Sequence, residues 1–301
     1  MYQDKTSADA FSSLHPAVNF FFFGLVIIFT MLFQHPISLL CSLIAGLSYA
    51  IFLVGRRALV FFLKFLLPLA LLAGLINPLF NHEGKTIIGY FPGGNPLTLE
   101  AILYGIFAAV MLAAVVSWFY CYQAVMTSDK TLMLLGRMIP ALSLILTMAL
   151  RFIPHFAEHF RTVRAARKTL GQRLPEGRFG SLREGARTLG GLLVWASENA
   201  IETADSMRNR GYGQAERTHY IPVRLTGRDK RMLAAQGGMA GLLIAGAVGG
   251  GFGWYYYPGF ASPGNGPITA VTLGAFALLC LFPLFVNGEE AWRWRSSASD
   301  S

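Results

Sequence analysis

Six long apolar runs are the feature that most limits the folds open to this chain of 301 residues. A helix of about 20 mainly apolar residues crosses the hydrocarbon core of a bilayer. Runs close to that length or longer occupy approximately residues 14–33, 37–54, 58–80, 101–126, 232–257 and 267–287. Charged residues make up only 14% of the chain, whereas soluble domains carry about 25%. The sequence therefore predicts an all-α integral membrane protein with about six transmembrane helices.

The distribution of positive charge predicts the orientation of these helices, because Lys and Arg accumulate on the cytoplasmic side of a membrane. Residues 126–231 hold 18 Lys and Arg against nine Asp and Glu, a net charge of +9 that equals the net charge of the whole chain. The 258–266 loop has no charged residue, and the 81–100 loop has one Lys against two Glu. We therefore expect a multi-pass protein of the cell membrane with both termini in the cytoplasm.

The same pattern divides the chain into three parts. Residues 1–126 form an N-terminal bundle of four spans, residues 127–231 form a cytoplasmic and interfacial region, and residues 232–301 form a C-terminal helical pair with a short tail. The middle part has helical periodicity, which predicts long amphipathic helices inserted between spans four and five.

Two helical patterns make up this insertion. The first covers residues 131–170, with Pro140 suited to a helix start and Pro154 expected to bend the helix. The second begins near Leu182 and should end at Gly211, because glycine readily takes the left-handed conformation that follows a helix. Basic residues near both helix ends are suited to a groove on another protein, or they anchor the chain to anionic lipid.

The segment His155-Phe156-Ala157-Glu158-His159 fits the H-x-x-E-H pattern of a class of zinc proteases. A catalytic zinc site also needs a third protein ligand and an open position for water. The other four histidines are scattered along the sequence, so we interpret this segment as a polar stripe and predict no metal site. A membrane metallohydrolase that uses His155, Glu158 and His159 is nevertheless the alternative function to test.

Two glycine-containing patterns have other interpretations. Gly84-Lys85-Thr86 resembles the end of a P-loop, but the required earlier glycine is Leu79. We therefore expect no catalytic residue and no cofactor in this chain. In the fifth span, small residues at every fourth position allow another helix to approach, either from the same bundle or from a partner. The glycines of this stripe are Gly237, Gly241, Gly249 and Gly253.

Several short motifs, in order along most of the chain, make the sequence similar to a known family. They are Leu14-His15-Pro16, Asn77-Pro78-Leu79-Phe80, Thr98-Leu99-Glu100-Ala101, Ile139-Pro140-Ala141-Leu142, Leu150-Arg151-Phe152-Ile153-Pro154 and the stretch from Glu202 to Gly213. The chain resembles the transmembrane T component of energy-coupling factor (ECF) transporters, a branch of the ATP-binding-cassette importers.

The resemblance implies a set of coupling residues. The second of the family's two Ala-Arg-Gly motifs corresponds to Asn209-Arg210-Gly211, preceded by Arg208. The first falls at Thr169-Leu170-Gly171, where Leu170 replaces the arginine. The positive charge there comes from Arg167 and Lys168 upstream, or from Arg173 downstream.

The resemblance also implies partners. These are two ABC-type ATPase subunits that bind ATP, a small membrane-embedded S component that binds the substrate, and membrane lipids, with no nucleic acid. The cargo would be a vitamin, a vitamin precursor or a transition-metal ion. A stand-alone secondary transporter is a second alternative, with Lys64 as the only ionisable residue to support it.

Overall fold

The computed structural model describes residues 9–90, 95–169, 178–212, 225–256, 259 and 266–299. It is almost wholly helical, as predicted. The helices are α1 (Pro16–Leu32), α2 (Pro36–Val54), α3 (Arg56–Phe61), α4 (Leu67–Phe80), α5 (Leu99–Val125), α6 (Ser128–Met138), α7 (Pro140–Thr169), α8 (Arg178–Asn209), α9 (Gly227–Val248) and α10 (Gly266–Ser299). A five-residue π-helical segment (Phe62–Leu66), called the π-turn below, joins α3 to α4. A small antiparallel hairpin is formed by β1 (Ile87–Tyr90) and β2 (Pro96–Thr98).

Six helical segments of the described chain are long and apolar enough to cross a membrane. They are Pro36–Val54, Arg56–Phe80, Leu99–Val125, Ala141–Ala166, Gly227–Val248 and Gly266–Glu290. The predicted number of spans is thus confirmed, but one of the six segments is not the one predicted. The first predicted span is the shorter helix Pro16–Leu32, whereas Ala141–Ala166, predicted outside the spans, meets the same limits of length and composition.

The predicted span 232–257 is wrong at both ends, because local capping decides its limits. The Thr226 side chain and the Asp229 carboxylate form a capping box that starts α9 earlier, at Gly227. The helix then ends at Val248, before Gly250 takes a positive φ of 79°. The apolar residues after that glycine are therefore not part of the helix.

A proline also divides the first helical pattern of the insertion. The predicted single helix over residues 131–170 is two helices, α6 and α7, with a break at Ile139. The residue before a proline disfavours the helical conformation, and Pro140 is well placed as the first residue of α7. Helix α7 continues through Pro154 to Thr169.

The described residues form two compact units. Unit 1 lies within residues 1–131 and 223–301, and unit 2 lies within residues 132–222. The core of unit 1 is aromatic: Phe22 meets Phe11 with ring centroids 5.1 Å apart and Trp118 at 5.8 Å. The indole nitrogen of Trp118 donates to Ser42 Oγ at 2.9 Å, and Ser42 pairs with Thr30 at 2.8 Å. Such side-chain hydrogen bonds hold helices together in a bilayer, where apolar packing alone gives little preference over lipid.

Candidate functional site

The C-terminal end of α8 forms a rigid cap. Gly211 has a φ of 76°, and its backbone nitrogen donates to Arg208 O at 3.0 Å. The backbone nitrogen of Tyr212 donates to Met207 O, also at 3.0 Å. These two bonds define a Schellman motif with Gly211 in the left-handed position. The helix end predicted at Gly211 is confirmed, and the conformation needs glycine because a side chain is unfavourable at this φ.

The cap presents two exposed guanidinium groups. Arg208 and Arg210 are both exposed, as is Asn209 between them. Neither arginine makes an ion pair with another described residue. The backbone nitrogen of Arg210 donates to Ser206 O and Met207 O, each at 3.1 Å. The backbone of the cap is therefore fixed while the cationic side chains are available, next to the negative end of the helix dipole.

The other predicted coupling residues lie at the end of α7. Arg167 and Lys168 belong to its last turn, and the helix ends at Thr169, whose hydroxyl donates to Ala166 O at 2.7 Å. Leu170 and Gly171 lie outside the described residues, as does Arg173.

An aromatic contact joins α7 to α8. The ring of His159 stacks on Trp195 with centroids 4.1 Å apart and an interplanar angle of 9°. His155 and Phe156 meet the same indole at 5.8 Å and 5.6 Å. We call these four residues the Trp195 clasp. Sequence reasoning missed Trp195, although a large aromatic residue in the middle of an amphipathic helix is a usable signal for a packing contact.

The clasp accounts for the two histidines of the H-x-x-E-H segment. Both rings pack on an indole, as structural residues do. Among the described residues, no group of three or more His, Cys, Asp or Glu side chains is placed to hold a metal ion. The geometry therefore offers nothing in favour of a metallohydrolase site at His155, Glu158 and His159.

Unit 2 exposes large apolar side chains on both α7 and α8. Helix α8 packs through Thr188, Leu192 and Trp195, whereas Leu189 and Leu193 are 56% and 69% exposed. These two leucines are four residues apart and therefore lie on the same side of α8. Further exposed apolar residues of α7 and α8 are Leu142, Ile145, Leu150, Ile153, Val194 and Ile201. A surface of this kind marks contact with a partner protein or with lipid.

A partly buried group of polar contacts in unit 1, the polar node, holds the start of α6. Lys130 Nζ donates to Ser12 O at 2.7 Å, Ser12 Oγ at 3.0 Å and Val125 O at 2.9 Å. Asp9 accepts hydrogen bonds from the Tyr49 hydroxyl at 3.0 Å and from a backbone nitrogen at 3.2 Å. Burial lowers the pKa of Lys130, and the negative charge of Asp9 opposes that shift. Sequence reasoning missed this node, since residues 118 positions apart form it.

The glycine stripe of α9 has open positions. A Cβ atom added at Gly237 or Gly241 would meet no described atom within 4 Å, apart from neighbouring chain atoms. At Gly249 such an atom would lie 3.7 Å from Ile268 Cγ2. The closest approach to α10 is instead at Gly246, where a Cβ atom would collide with Thr272. Gly253 lies beyond the end of α9.

The fold and these surfaces define the class: an all-helical, multi-pass membrane protein with a helical insertion. Residues 9–220 match the profile of the family described as cobalt transport protein, CbiQ. The chain is also 27% identical over 237 residues to the energy-coupling factor transporter transmembrane protein EcfT of Lacticaseibacillus paracasei (strain ATCC 334), an alignment that covers 75% of this chain and 88% of that protein. The chain therefore belongs to this family, the membrane-embedded T components of ECF transporters.

Proposed function

We propose that this chain couples ATP hydrolysis by two separate ABC-type ATPase subunits to the reorientation of a small membrane-embedded S component. The imported substrate would be a vitamin, a vitamin precursor or a transition-metal ion, selected by the S component. The observation that carries the proposal is the rigid cap of α8, with Arg208 and Arg210 exposed on a fixed backbone.

The mechanism would use the contact between α7 and α8 in unit 2. The Trp195 clasp holds α7 against α8, so a force applied at the cap moves the two helices together. Arg210 would sit in a groove of one ATPase subunit, where a planar guanidinium makes several directed hydrogen bonds. The end of α7, with Arg167 and Lys168, would meet the second ATPase together with the following residues Leu170 and Gly171 of the sequence. Closure of the ATPases on ATP then becomes a rigid-body shift of the coupling helices.

The exposed apolar residues of α7 and α8 suit a hydrophobic partner such as the S component. The open glycines Gly237 and Gly241 are a second candidate contact for a partner helix. In this proposal the chain has no catalytic residue and needs no cofactor of its own. ATP is bound by the partners, and both termini lie on their side of the cell membrane.

The test is to purify the tagged chain from native membranes and to identify the co-purifying proteins. We expect P-loop ATPases and a small, very hydrophobic membrane protein. An Arg210→Glu variant should lower ATPase recovery at least tenfold, because it reverses the charge in the cap. Arg161→Glu, at an exposed position of α7 away from the cap, is the matched control. Equal recovery of ATPases with both variants would contradict the role of Arg210, and recovery of the wild-type chain alone would contradict the coupling function.

A further inference from the structure

A long apolar groove opens between α2 and α4, and α5 forms its floor. Its volume is about 840 Å³, and every residue that lines it is apolar. A groove of this size is comparable to sites that hold small molecules, which enclose about 300–1,000 Å³. The three helices that form it belong to membrane-spanning segments. Apolar cavities do not hold ordered water, so the occupant of this groove is itself apolar.

The wall on the α4 side is a ladder of leucines at every fourth position. These leucines neighbour one another along the helix surface, and each is more than half exposed. They are Leu63, Leu67, Leu71, Leu75 and Leu79. At Gly74, which also lines the groove, α4 approaches α5 closely, since a Cβ atom added at Gly105 would lie 2.5 Å from Gly74 O. The small side chains of Ala109 and Ala113 then leave the floor of the groove deep.

Three cations lie on the segment that begins this wall. Arg56 and Arg57 start α3, Lys64 lies within the π-turn, and all three side chains are exposed. Three residues close to Lys64 in the sequence line the groove, namely Phe62, Leu63 and Leu66. The sequence has no Asp or Glu between residues 10 and 82. A π-turn is rare and is found frequently at functional sites, and this one places a lysine beside the groove.

We propose that the groove binds an anionic phospholipid from the leaflet on the side of Arg56. One acyl chain lies along the leucine ladder, and the phosphate group meets Lys64 and Arg56. Lys64 is about 12 Å along the helix from Arg56, and its long side chain can extend toward the membrane surface. A partner helix in this groove would have to bring an acidic residue to the same depth, whereas a phospholipid carries its negative charge there by its own structure.

The proposal predicts a headgroup preference that can be measured on the full-length chain alone. We would purify it in detergent with equal amounts of phosphatidylglycerol and phosphatidylcholine, and count retained lipids by native mass spectrometry. Each cation near an anionic lipid surface contributes roughly fivefold in binding. Lys64→Gln should therefore lower phosphatidylglycerol retention about fivefold and phosphatidylcholine retention by less, because the choline group neutralises the charge of its phosphate. Lys85→Gln, at an exposed position of the loop before β1, is the matched control and should change neither.

Equal retention of both lipids by the wild-type chain, or an unchanged ratio in Lys64→Gln, would overturn the proposal. A second experiment separates lipid from protein as the occupant, with Leu71 replaced by a photo-crosslinking phenylalanine derivative in native membranes. An adduct with the mass of a phospholipid supports the proposal, and an adduct with a membrane protein overturns it. Neither experiment depends on the ATPases. A negative result would therefore contradict the lipid site without contradicting the coupling function.

Discussion

Units 1 and 2 use the same residue types but bury them very differently. In unit 1, aromatic side chains from α1, α2, α5 and α10 pack into one core, and Phe11, Phe22, Tyr49 and Trp118 are fully buried. In unit 2, the buried apolar side chains among the described residues are Leu132 and Leu192. Unit 1 thus has a densely packed aromatic core, although its helix α4 has no buried residue. The described helices of unit 2 are held by a few contacts and leave most of their apolar side chains exposed.

The largest loss of stability should come from a substitution in the core of unit 1. Trp118→Ala removes a fully buried indole and its hydrogen bond to Ser42. Large-to-small changes of aromatic residues in a core cost about 3–5 kcal/mol, so the melting temperature of the purified protein in detergent should fall sharply. Phe119→Ala is the control, because this neighbouring side chain is 47% exposed. If both variants melt alike, the core of unit 1 does not control its stability.

A smaller loss is expected at the polar node. Lys130→Met removes three hydrogen bonds and leaves Ser12 O and Val125 O without that donor. A buried group left unsatisfied costs about 1–3 kcal/mol, and these partly buried carbonyl groups should lie at the low end of that range. Hydrogen exchange should therefore increase in the first turn of α6 and in residues 9–15. Lys130→Arg, which keeps the charge and the donors, should restore most of the protection, and failure to do so would show that side-chain shape rather than hydrogen bonding is responsible.

In unit 2 the corresponding test is the Trp195 clasp. Trp195→Ala removes the stacking partner of His159 and the edge contact with Phe156. An aromatic pair contributes about 0.5–1.5 kcal/mol beyond buried area. Hydrogen exchange in α7 and α8 should increase, while the melting of unit 1 stays within error. Val194→Ala, at a 62% exposed neighbour, is the control. Unchanged hydrogen exchange in α7 and α8 of Trp195→Ala would contradict the role of the clasp in holding these two helices together.

Alanine substitutions at two glycines of α8 should change the stability of this helix in opposite directions. Gly211→Ala forces a side chain into a left-handed conformation, which costs about 1–2 kcal/mol, and should loosen the cap that presents Arg210. Gly190→Ala lies inside the helix with no described atom within 4 Å of the added carbon, and should stabilise α8 by about 0.5–1 kcal/mol. The rate of hydrogen exchange in α8 measures the change in helix stability for each of the two variants. Equal changes would mean that the cap conformation does not matter for this helix.

Local rules predicted several features of this chain well. The apolar runs predicted an all-helical membrane protein because a bilayer leaves few structures in which every backbone group is paired. The end of α8 before Gly211 followed from the permissive backbone of glycine. Pro140 suited a helix start, but the sequence pattern predicted one helix over residues 131–170 and missed the break before this proline. The short motifs, spread over most of the chain, predicted the family, which the match over residues 9–220 confirms.

Other features depend on contacts between distant residues, and no local pattern contains them. The stacking of His159 on Trp195, the bonds from Lys130 to Ser12, and the groove along the leucine ladder arise only when separate helices meet. The same reason explains why Leu189 and Leu193 are exposed, since an amphipathic pattern shows which residues are apolar but not which of them find a partner. The sequence by itself thus determined the class of protein, the number of candidate spans and the end of α8 at Gly211. Tertiary structure decided which apolar faces are buried in the chain and which remain exposed for lipid or a partner, because burial depends on the neighbours that a residue meets.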